Sequence, residues 1–405
     1  MINTGDTAWV LISTALVILM TPAVGFFYGG MVRKKSILST IMMCFAALFL
    51  ISVQWVLFGY TLAFGPTKAG LIGGLKWLGL LGVGQAPNIE YAATIPALAF
   101  MLFQAAFAIV TPSLIVGSFV ERIKFGAFLI FTGLWATLVY DPVCHWVWGV
   151  GGWLHNMGVL DFAGGTVVHI TAGFSALAIA LVIGKRIGYG KDNMEPSNIP
   201  LVVLGAVLLW FGWFGFNGGS ALAANGLAVQ AVVVTNTAGA AAAIVWMILS
   251  WLHRRPSVLG VATGAVVGLA AITPASGFVS PLSAILIGGI AAAISYYVIV
   301  LRMKLRIDES LDVFACHGMG SFWGVLATGF FASKMVNPAG ANGWLHGNPG
   351  LVWTQFVGAA VVAAFAFVVT YVLATLIDLI VGLRVTENEE LVGLDISQHA
   401  ESTLS

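Results

Sequence analysis

The sequence predicts an all-helical integral membrane protein, and two observations support this fold class. Of the 405 residues, 60% are hydrophobic and only 8% are charged, whereas a soluble globular domain carries about 25% charged residues. Apolar tracts of roughly 20 residues, long enough to cross a hydrocarbon layer about 30 Å thick, recur from Trp9 to Val381. Lipid is therefore the expected solvent. The net charge of +1, with no basic run, argues against nucleic-acid binding.

Eleven membrane-spanning helices are predicted when glycine, proline and charged residues are taken as boundaries. They cover residues 9 to 31, 37 to 64, 95 to 119, 125 to 148, 162 to 184, 198 to 219, 227 to 251, 257 to 275, 281 to 301, 309 to 332 and 350 to 382. Five spans followed by five more have opposite orientations, so spans 1–5 and 6–10 are predicted to form an inverted repeat, followed by a final long helix. This count gives a transmembrane domain over residues 1–383 and a cytoplasmic tail over residues 384–405.

The basic residues predict the orientation of the chain. All but three of the 17 fall on one side of the predicted spans, and Lys68, Lys76 and Lys334 fall on the other. The larger set is Arg33, Lys34, Lys35, Arg122, Lys124, Lys185, Arg186, Lys191, Arg254, Arg255, Arg302, Lys304, Arg306 and Arg384. Because basic residues concentrate in cytoplasmic loops, the N-terminus is predicted outside and the C-terminus inside. Asp6 precedes the first tract where a signal peptide has basic residues, so this tract is predicted to be a permanent span.

Two histidines are the clearest polar candidates inside the predicted spans, where a charge costs about 2.5 kcal/mol or more. Counting from Lys185 and Arg306, both His169 and His317 lie near the midplane, on the corresponding spans 5 and 10. Two neutral imidazoles at one depth can share a proton, one donating and the other accepting. The alternative is two unrelated histidines, each bonded to a backbone carbonyl. Spacing alone does not decide between these interpretations.

A second group of candidates lies towards the outer ends of the spans. Asp161 begins span 5, where its carboxylate is predicted to cap the free N–H groups of the first turn; direct substrate contact is the alternative. Trp148, Phe216 and Ser220 lie at the outer ends of spans 4 and 6, and Phe107 lies inside span 3, so one vestibule could gather them. Aromatic faces attract a partly dehydrated cation by about 0.5 to 2 kcal/mol. An interfacial aromatic belt is the alternative explanation for any one ring.

The cysteines and histidines do not suggest a metal site. Cys44, Cys144 and Cys316 lie far apart in or beside apolar tracts and form no CxxC pair, so neither a disulfide framework nor a structural zinc site is expected. No third and fourth ligand with zinc or iron spacing accompanies His169 and His317. A membrane enzyme with these histidines as metal ligands is therefore the least favoured hypothesis, and no cofactor is expected.

Several sequence stretches resemble the ammonium transporter (Amt/Mep/Rh) family. The run DFAGGTVVHITAG at 161–173, continuing to GKR at 184–186, resembles the family signature. Similar in order and spacing are GFFYGGMVRKKS from residue 25, FQAAFAIVTP from 103, WFGWFGFNGGSA from 210, DVFACHGMG from 312 and the tail GLRVTENEELVGLDISQHAE from 382. The resemblance covers essentially the whole chain, and the chain closely resembles the microbial Amt proteins.

The resemblance implies roles for the outer candidates. Phe107, Trp148 and Ser220 match the external site that recruits ammonium, with the two rings supplying cation–π faces. Phe107 and Phe216 match the stacked pair that closes the pore mouth. Asp161 matches the family's capping acid, and its negative potential at the mouth places it with the substrate-binding residues.

The resemblance also implies the pore and the partners. His169 and His317 match the twin histidines of the pore, and Trp213 matches a pore-lining indole beside them. The family forms trimers with one pore per subunit, and a cytosolic PII signalling protein is the partner expected at the tail. Two positions depart from the family pattern: Glu309 stands where Asp is common, and Ala400 replaces the usual Gly of the tail. The second departure leaves the conformation of the tail open.

The function expected from this resemblance is ammonium transport across the cell membrane, plasma or inner, rather than enzymatic catalysis. We expect NH4+ to be selected in the vestibule and deprotonated. NH3 then crosses the apolar pore, since a bare ion is costly there, with net transfer of charge. An electroneutral NH3 channel is one alternative. An ammonium sensor that acts through a cytosolic PII-type partner is another.

Overall fold

The computed structural model describes residues 1–253 and 255–403, so Arg254 of the predicted one-sided basic set and the last two residues of the predicted tail lie outside it. Within the described residues, nine helices are long and apolar enough to cross a membrane. The chain is thus a multi-pass, all-helical membrane protein. The principal helices are α1 (Thr4–Met31), α2 (Lys34–Phe64), α3 (Ala97–Ser118), α4 (Phe125–Met157), α5 (Gly165–Ile183), α6 (Ile199–Gly219), α7 (Gly226–His253), α8 (Val258–Ile272), α9 (Pro281–Lys304), α10 (Gly320–Phe331) and α11 (Gly350–Val381).

Two of the eleven predicted spans contain shorter helices. The predicted span 257–275 holds α8, which has 15 residues and ends where Thr273 and Pro274 begin a buried turn. The predicted span 309–332 holds α10, which has 12 residues and continues directly from a π-helical turn, Phe314–Met319. These two segments account for the difference between the eleven spans predicted and the nine long apolar helices of the described residues.

Close helix packing forms the centre of the bundle. α1 packs along α6, α7 packs against α8 and α9, and α5 packs against α11. Glycine makes the first of these contacts close, because a Cβ atom at Gly205 would lie 2.4 Å from the backbone nitrogen of Phe27. Small interfacial residues are the usual means of bringing membrane helices together, since lipid supplies no hydrophobic drive for association.

An irregular segment between α2 and α3, on the side of the bundle away from the tail, was not predicted from the sequence. A two-stranded antiparallel hairpin pairs β1 (Thr67–Lys68) with β2 (Ile72–Gly73), and a short helical turn, Leu75–Leu80, follows. The ring of the buried His145 contacts the hairpin, with its Nε2 2.9 Å from Thr67 Oγ1 and its Nδ1 2.8 Å from the carbonyl oxygen of Ala63. The opposite face holds the tail helices, α12 (Glu387–Val392) and α13 (Leu394–His399).

The tail folds back on its own chain and contacts the basic side of the molecule. Glu390 pairs with Arg384 at 2.7 Å and accepts a hydrogen bond from the backbone N–H of Ile187 at 2.6 Å. Asp395 accepts from the backbone N–H of Ser39 near the start of α2 at 2.7 Å. Ala400 ends α13 in the left-handed conformation, with φ of 56°.

A buried ion cluster joins the loops beneath the tail. Asp308 lies 2.8 Å from the Arg186 guanidinium, and Glu121 lies 2.5 Å from Arg33. Burial acts to raise the pKa of Asp308, but the hydrogen bonds with Arg186 outweigh it and hold that pKa below its ordinary value. The cluster therefore fixes Asp308 as a carboxylate beside the segment that leads into α10.

Candidate functional site

Two cavities are lined by candidate residues; the one on the side of the bundle away from the tail is called the outer cavity, and the one beside the histidines is called the inner cavity. The outer cavity has a volume of about 230 Å³ and is lined by Trp148, Asp161, Ser220 and Gln104, among others. The inner cavity has a volume of about 20 Å³ and is lined by His169, His317, Trp213 and Phe216 with aliphatic neighbours. A cavity needs about 10–15 Å³ of this kind of volume to hold a water molecule, so the inner one fits a single molecule of that size.

Aromatic rings separate the two cavities. Phe107 is 1% exposed; its ring centre lies 5.8 Å from that of Trp148 and 4.5 Å from that of Phe216. Phe216 in turn stacks on the imidazole of His169, with ring centres 5.8 Å apart and planes 19° apart. Trp148 and Ser220 line the outer cavity, whereas Phe107 lies beneath Trp148 and is buried. Of the residues expected to form one vestibule, Trp148 and Ser220 therefore lie in a cavity wall, and Phe107 is a buried ring next to that wall.

The two predicted histidines are in direct contact. The Nδ1 atoms of His169 and His317 lie 3.2 Å apart, and both side chains are buried. Since a hydrogen bond needs one donor and one acceptor, only one of these Nδ1 atoms carries a proton in the neutral pair. His169 Nε2 is buried and has no hydrogen-bond partner among the described residues. The inner cavity therefore presents polar nitrogen within an otherwise mostly apolar wall.

Local backbone structure brings the histidines together. Each lies in a π-helical turn, His169 in Gly165–Ile170 and His317 in Phe314–Met319. One turn beyond His169, Gly173 meets Gly318 so closely that a Cβ atom at Gly173 would lie 2.2 Å from the Gly318 nitrogen. No larger side chain fits this crossing. Neither the π-helical turns, which often occur at functional sites, nor this crossing was predicted.

Carboxylates cap both π-helical turns. Asp161 accepts hydrogen bonds from four consecutive backbone N–H groups, those of residues 164–167, at 2.7 to 3.1 Å. This is the cap expected at the start of span 5. Glu309 accepts from the N–H groups of Val313 and Phe314 at 3.0 and 3.3 Å, at the start of the other turn. Trp148 is fixed as well, because its indole N–H donates to the backbone carbonyl of Asp161 at 2.8 Å.

The outer cavity offers acceptors for a hydrogen-bond donor. Ser220 Oγ donates to the carbonyl oxygen of Phe216 at 2.9 Å, which leaves its lone pairs for another molecule. Gln104 was not predicted, yet its buried Oε1 has no partner among the described residues. The sequence signal that could have identified Gln104 is its position three residues before Phe107, which places both side chains on the same helix face.

Tyr28, in the lining of the inner cavity, and Thr273, beside that lining, were not predicted. Tyr28 lines this cavity and donates its hydroxyl to the carbonyl oxygen of Leu114 at 3.0 Å. Trp213 Nε1 donates to Thr273 Oγ1 at 2.9 Å, which fixes the predicted indole beside the histidines. Sequence spacing gives no signal for contacts between residues so far apart. Across residues 1–253 and 255–403, no three His, Cys, Asp or Glu side chains cluster so as to hold a metal ion.

Comparison with known proteins identifies the family. The model of the Ammonium Transporter Family matches residues 8–404. The chain belongs to the Ammonium Transporter Family. Among curated relatives in this family, ammonium transporter Amt1 of Archaeoglobus fulgidus is 50% identical over 397 residues, covering 98% of each chain.

Solved structures agree with this membership in the Ammonium Transporter Family. Mep2 of Saccharomyces cerevisiae superposes with a TM-score of 0.90 and 34% identity, over 96% of this chain and 88% of that one. A protein described as a sensor Amt protein superposes with a TM-score of 0.89 and 29% identity, over 98% of both chains. The fold is thus similar both to Mep2 and to a protein described as a sensor.

Proposed function

We propose that this chain transports ammonium, with NH4+ bound outside the phenyl rings and NH3 crossing the inner cavity. One observation carries the proposal: a continuous series of rings leads from Trp148 through Phe107 and Phe216 to His169 and His317. This series begins at a polar cavity and ends at a nitrogen pair in an apolar wall. Membership in the Ammonium Transporter Family supports the choice of substrate.

We propose that selection takes place in the outer cavity. The faces of Trp148 and Phe107 attract a cation, and Ser220 accepts a hydrogen bond from it. Potassium has the same charge but no hydrogen to donate. The carboxylate of Asp161 already accepts four backbone hydrogen bonds, so its proposed contribution is negative potential at the entrance rather than direct contact.

Beyond the proposed gate, Phe107 and Phe216, the crossing species is NH3. The inner cavity fits one small molecule, and an unpaired charge in such an apolar wall is costly. His169 Nε2 offers a hydrogen-bonding station there. The proton removed from NH4+ is proposed to follow through the His169–His317 contact, which makes transport electrogenic. An electroneutral NH3 channel is the first alternative, and it differs only in returning the proton outside.

The proposed topology is eleven spans with the N-terminus outside, in the cell membrane. Reciprocal packing supports the inverted repeat: α5 contacts the π-helical turn of His317, and α10 contacts the π-helical turn of His169. The tail contacts Lys35 and the loop after Arg186, which supports assigning the tail side to the cytoplasm.

The proposed assembly is a homotrimer with one path per subunit, and a cytosolic PII-type protein is the proposed partner at the tail. Native mass spectrometry tests the first, with three copies expected. Binding of a PII protein to the full chain, and its loss after deletion of residues 384–405, tests the second. An ammonium sensor is the second alternative function, favoured by the similarity to the protein described as a sensor.

Currents on a solid-supported membrane test the proposed function. Purified protein in sealed liposomes receives an ammonium pulse and, separately, a potassium pulse of equal concentration, with protein-free liposomes as the control. A transient current seen only with ammonium and protein is expected. Equal currents with potassium would contradict the proposed selectivity, and protein that carries neither current nor NH3 would favour the sensor.

A further inference from the structure

A short segment without regular secondary structure, residues 159–161, leads into the first π-helical turn. It ends at Asp161, whose carboxylate caps that turn and whose carbonyl oxygen accepts from the indole N–H of Trp148 at 2.8 Å. Buried backbone groups outside helices and strands need other hydrogen-bond partners. The group that holds Leu160 therefore also places the carbonyl of Asp161 and the ring of Trp148 in the wall of the outer cavity.

Gln355 of α11 supplies the partners of Leu160. Its Oε1 accepts from the backbone N–H of Leu160 at 2.7 Å, and its Nε2 donates to the carbonyl oxygen of Leu160 at 2.7 Å. The same Nε2 donates to the carbonyl oxygen of Val325 in α10 at 3.2 Å. Gln355 is 0% exposed, and both hydrogens of its NH2 group are used. A reversed amide would set its oxygen against two carbonyl oxygens, so only this orientation fits.

Close packing keeps α11 within reach of the segment. A Cβ atom at Gly358, three residues after Gln355, would lie 2.9 Å from Cγ2 of Val159. A Cβ atom at Gly329 of α10 would lie 2.7 Å from Cα of Val352. Because α10 continues directly from the second π-helical turn, Gln355 joins the entrance to one π-helical turn to the helix that follows the other.

We propose that Gln355 is a positioning residue for ammonium binding, a role that rests on the proposed function of Trp148. Gln355 is not among the described residues that line the outer and inner cavities, so it acts through the Leu160 backbone. The carboxylate of Asp161 keeps its four backbone bonds without Gln355. Loss of Gln355 should therefore displace Trp148 more than His169, and weaken ammonium binding more than it slows turnover.

The dependence of the current on ammonium concentration tests this role. Gln355→Met keeps the length of the side chain and removes all three hydrogen bonds. We expect the apparent KM for ammonium to rise roughly fivefold, the effect of one typical hydrogen bond, with little change in the maximal current. Gln230→Met in α7 is the matched control, because it removes a bond of 2.8 Å to the carbonyl oxygen of Val279 and should leave KM unchanged.

Two outcomes of the current measurement would overturn the inference. A fall in the maximal current of Gln355→Met with an unchanged KM would show that this residue only supports folding. An equal rise of KM in Gln355→Met and Gln230→Met would show that loss of any embedded amide has this effect.

Hydrogen exchange of the same full-length variants needs no transport and separates this inference from the proposed function. Protection of the Leu160 amide should fall in Gln355→Met, whereas α3 should keep its protection and Gln230→Met should match the wild type. Unchanged protection of Leu160, or a loss spread over the whole chain, would contradict positioning. If the wild-type protein gave no ammonium current, the proposed function would fail, whereas a local loss at Leu160 would still confirm the bonds from Gln355.

Discussion

The Nδ1 atoms of His169 and His317 lie 3.2 Å apart although 148 positions separate the residues in the chain. Their rings are nearly parallel, at 21°, and each lies in a π-helical turn capped by a carboxylate. One imidazole must donate to the other. The pair can therefore hold and pass a proton, provided that the two turns keep this register.

Removing one member of the pair should separate proton movement from NH3 movement. His317→Ala leaves His169 without its Nδ1 partner and enlarges the inner cavity. We expect the ammonium-evoked current to fall at least tenfold while NH3 flux persists. The current on a solid-supported membrane and the internal pH of the liposomes measure the two fluxes. His155→Ala removes an exposed histidine and serves as the control; an unchanged current in His317→Ala would exclude the histidine relay.

The cap of the first π-helical turn should dominate the stability of the site. Asp161→Ala removes the acceptor of four buried N–H groups, and hydrogen bonds to a charged group contribute about 1.5 to 3 kcal/mol each. We expect a clear fall in the thermal unfolding midpoint in detergent and a smaller fall for Asp161→Asn. Glu90→Ala, at an exposed position in the segment between α2 and α3, should leave the midpoint unchanged. Similar midpoints for all three variants would mean that the cap is dispensable.

The crossing of Gly173 and Gly318 should tolerate no side chain. A Cβ atom at Gly173 would lie 2.3 Å from Cα of Gly318, so Gly173→Ala must push α5 away from the other π-helical turn. Transport is expected to fall at least tenfold. Gly126→Ala is the matched control, because its Cβ atom would meet nothing within 4 Å. If Gly173→Ala transported normally, this close packing would not be what sets the histidine geometry.

The last turn of the tail should become more stable when glycine replaces Ala400. Ala400 has φ of 56°, a conformation that costs an L-residue about 1 to 2 kcal/mol and costs glycine little. Ala400→Gly should therefore increase the hydrogen-exchange protection of the α13 amides about fivefold or more. Ser402→Gly, just beyond this turn, should not. Reduced protection in Ala400→Gly would show that loss of the side chain outweighs the relief of strain.

The sequence predicted the membrane fold well because hydropathy and the scarcity of charge report directly on lipid burial. It also predicted His169 and His317, since polar residues stand out in apolar spans. Resemblance to the family was needed to choose Phe107 and Trp148 among 26 Phe and 14 Trp residues. Composition alone does not distinguish these rings from an interfacial belt.

The remaining features depend on contacts that have no local pattern. Gln104, Tyr28 and Thr273 belong to the site only through contacts across the fold. The two π-helical turns follow from tertiary packing, which overrides the 3.6-residue period on which spans are predicted. The tail conformation at Ala400 is likewise set by packing against α2 and α4, and an alanine gives no signal for a positive φ.

The most direct test of the central claim, that NH3 and the proton cross together along the ring and histidine path, is a simultaneous record of current and internal pH. Wild-type protein in sealed liposomes that contain a pH dye receives an external ammonium pulse, with protein-free liposomes to subtract NH3 leakage. NH3 entering alone binds internal protons and makes the interior alkaline. We predict an inward current with no added alkalinisation; added alkalinisation without current would contradict proton co-transfer and identify a neutral NH3 channel.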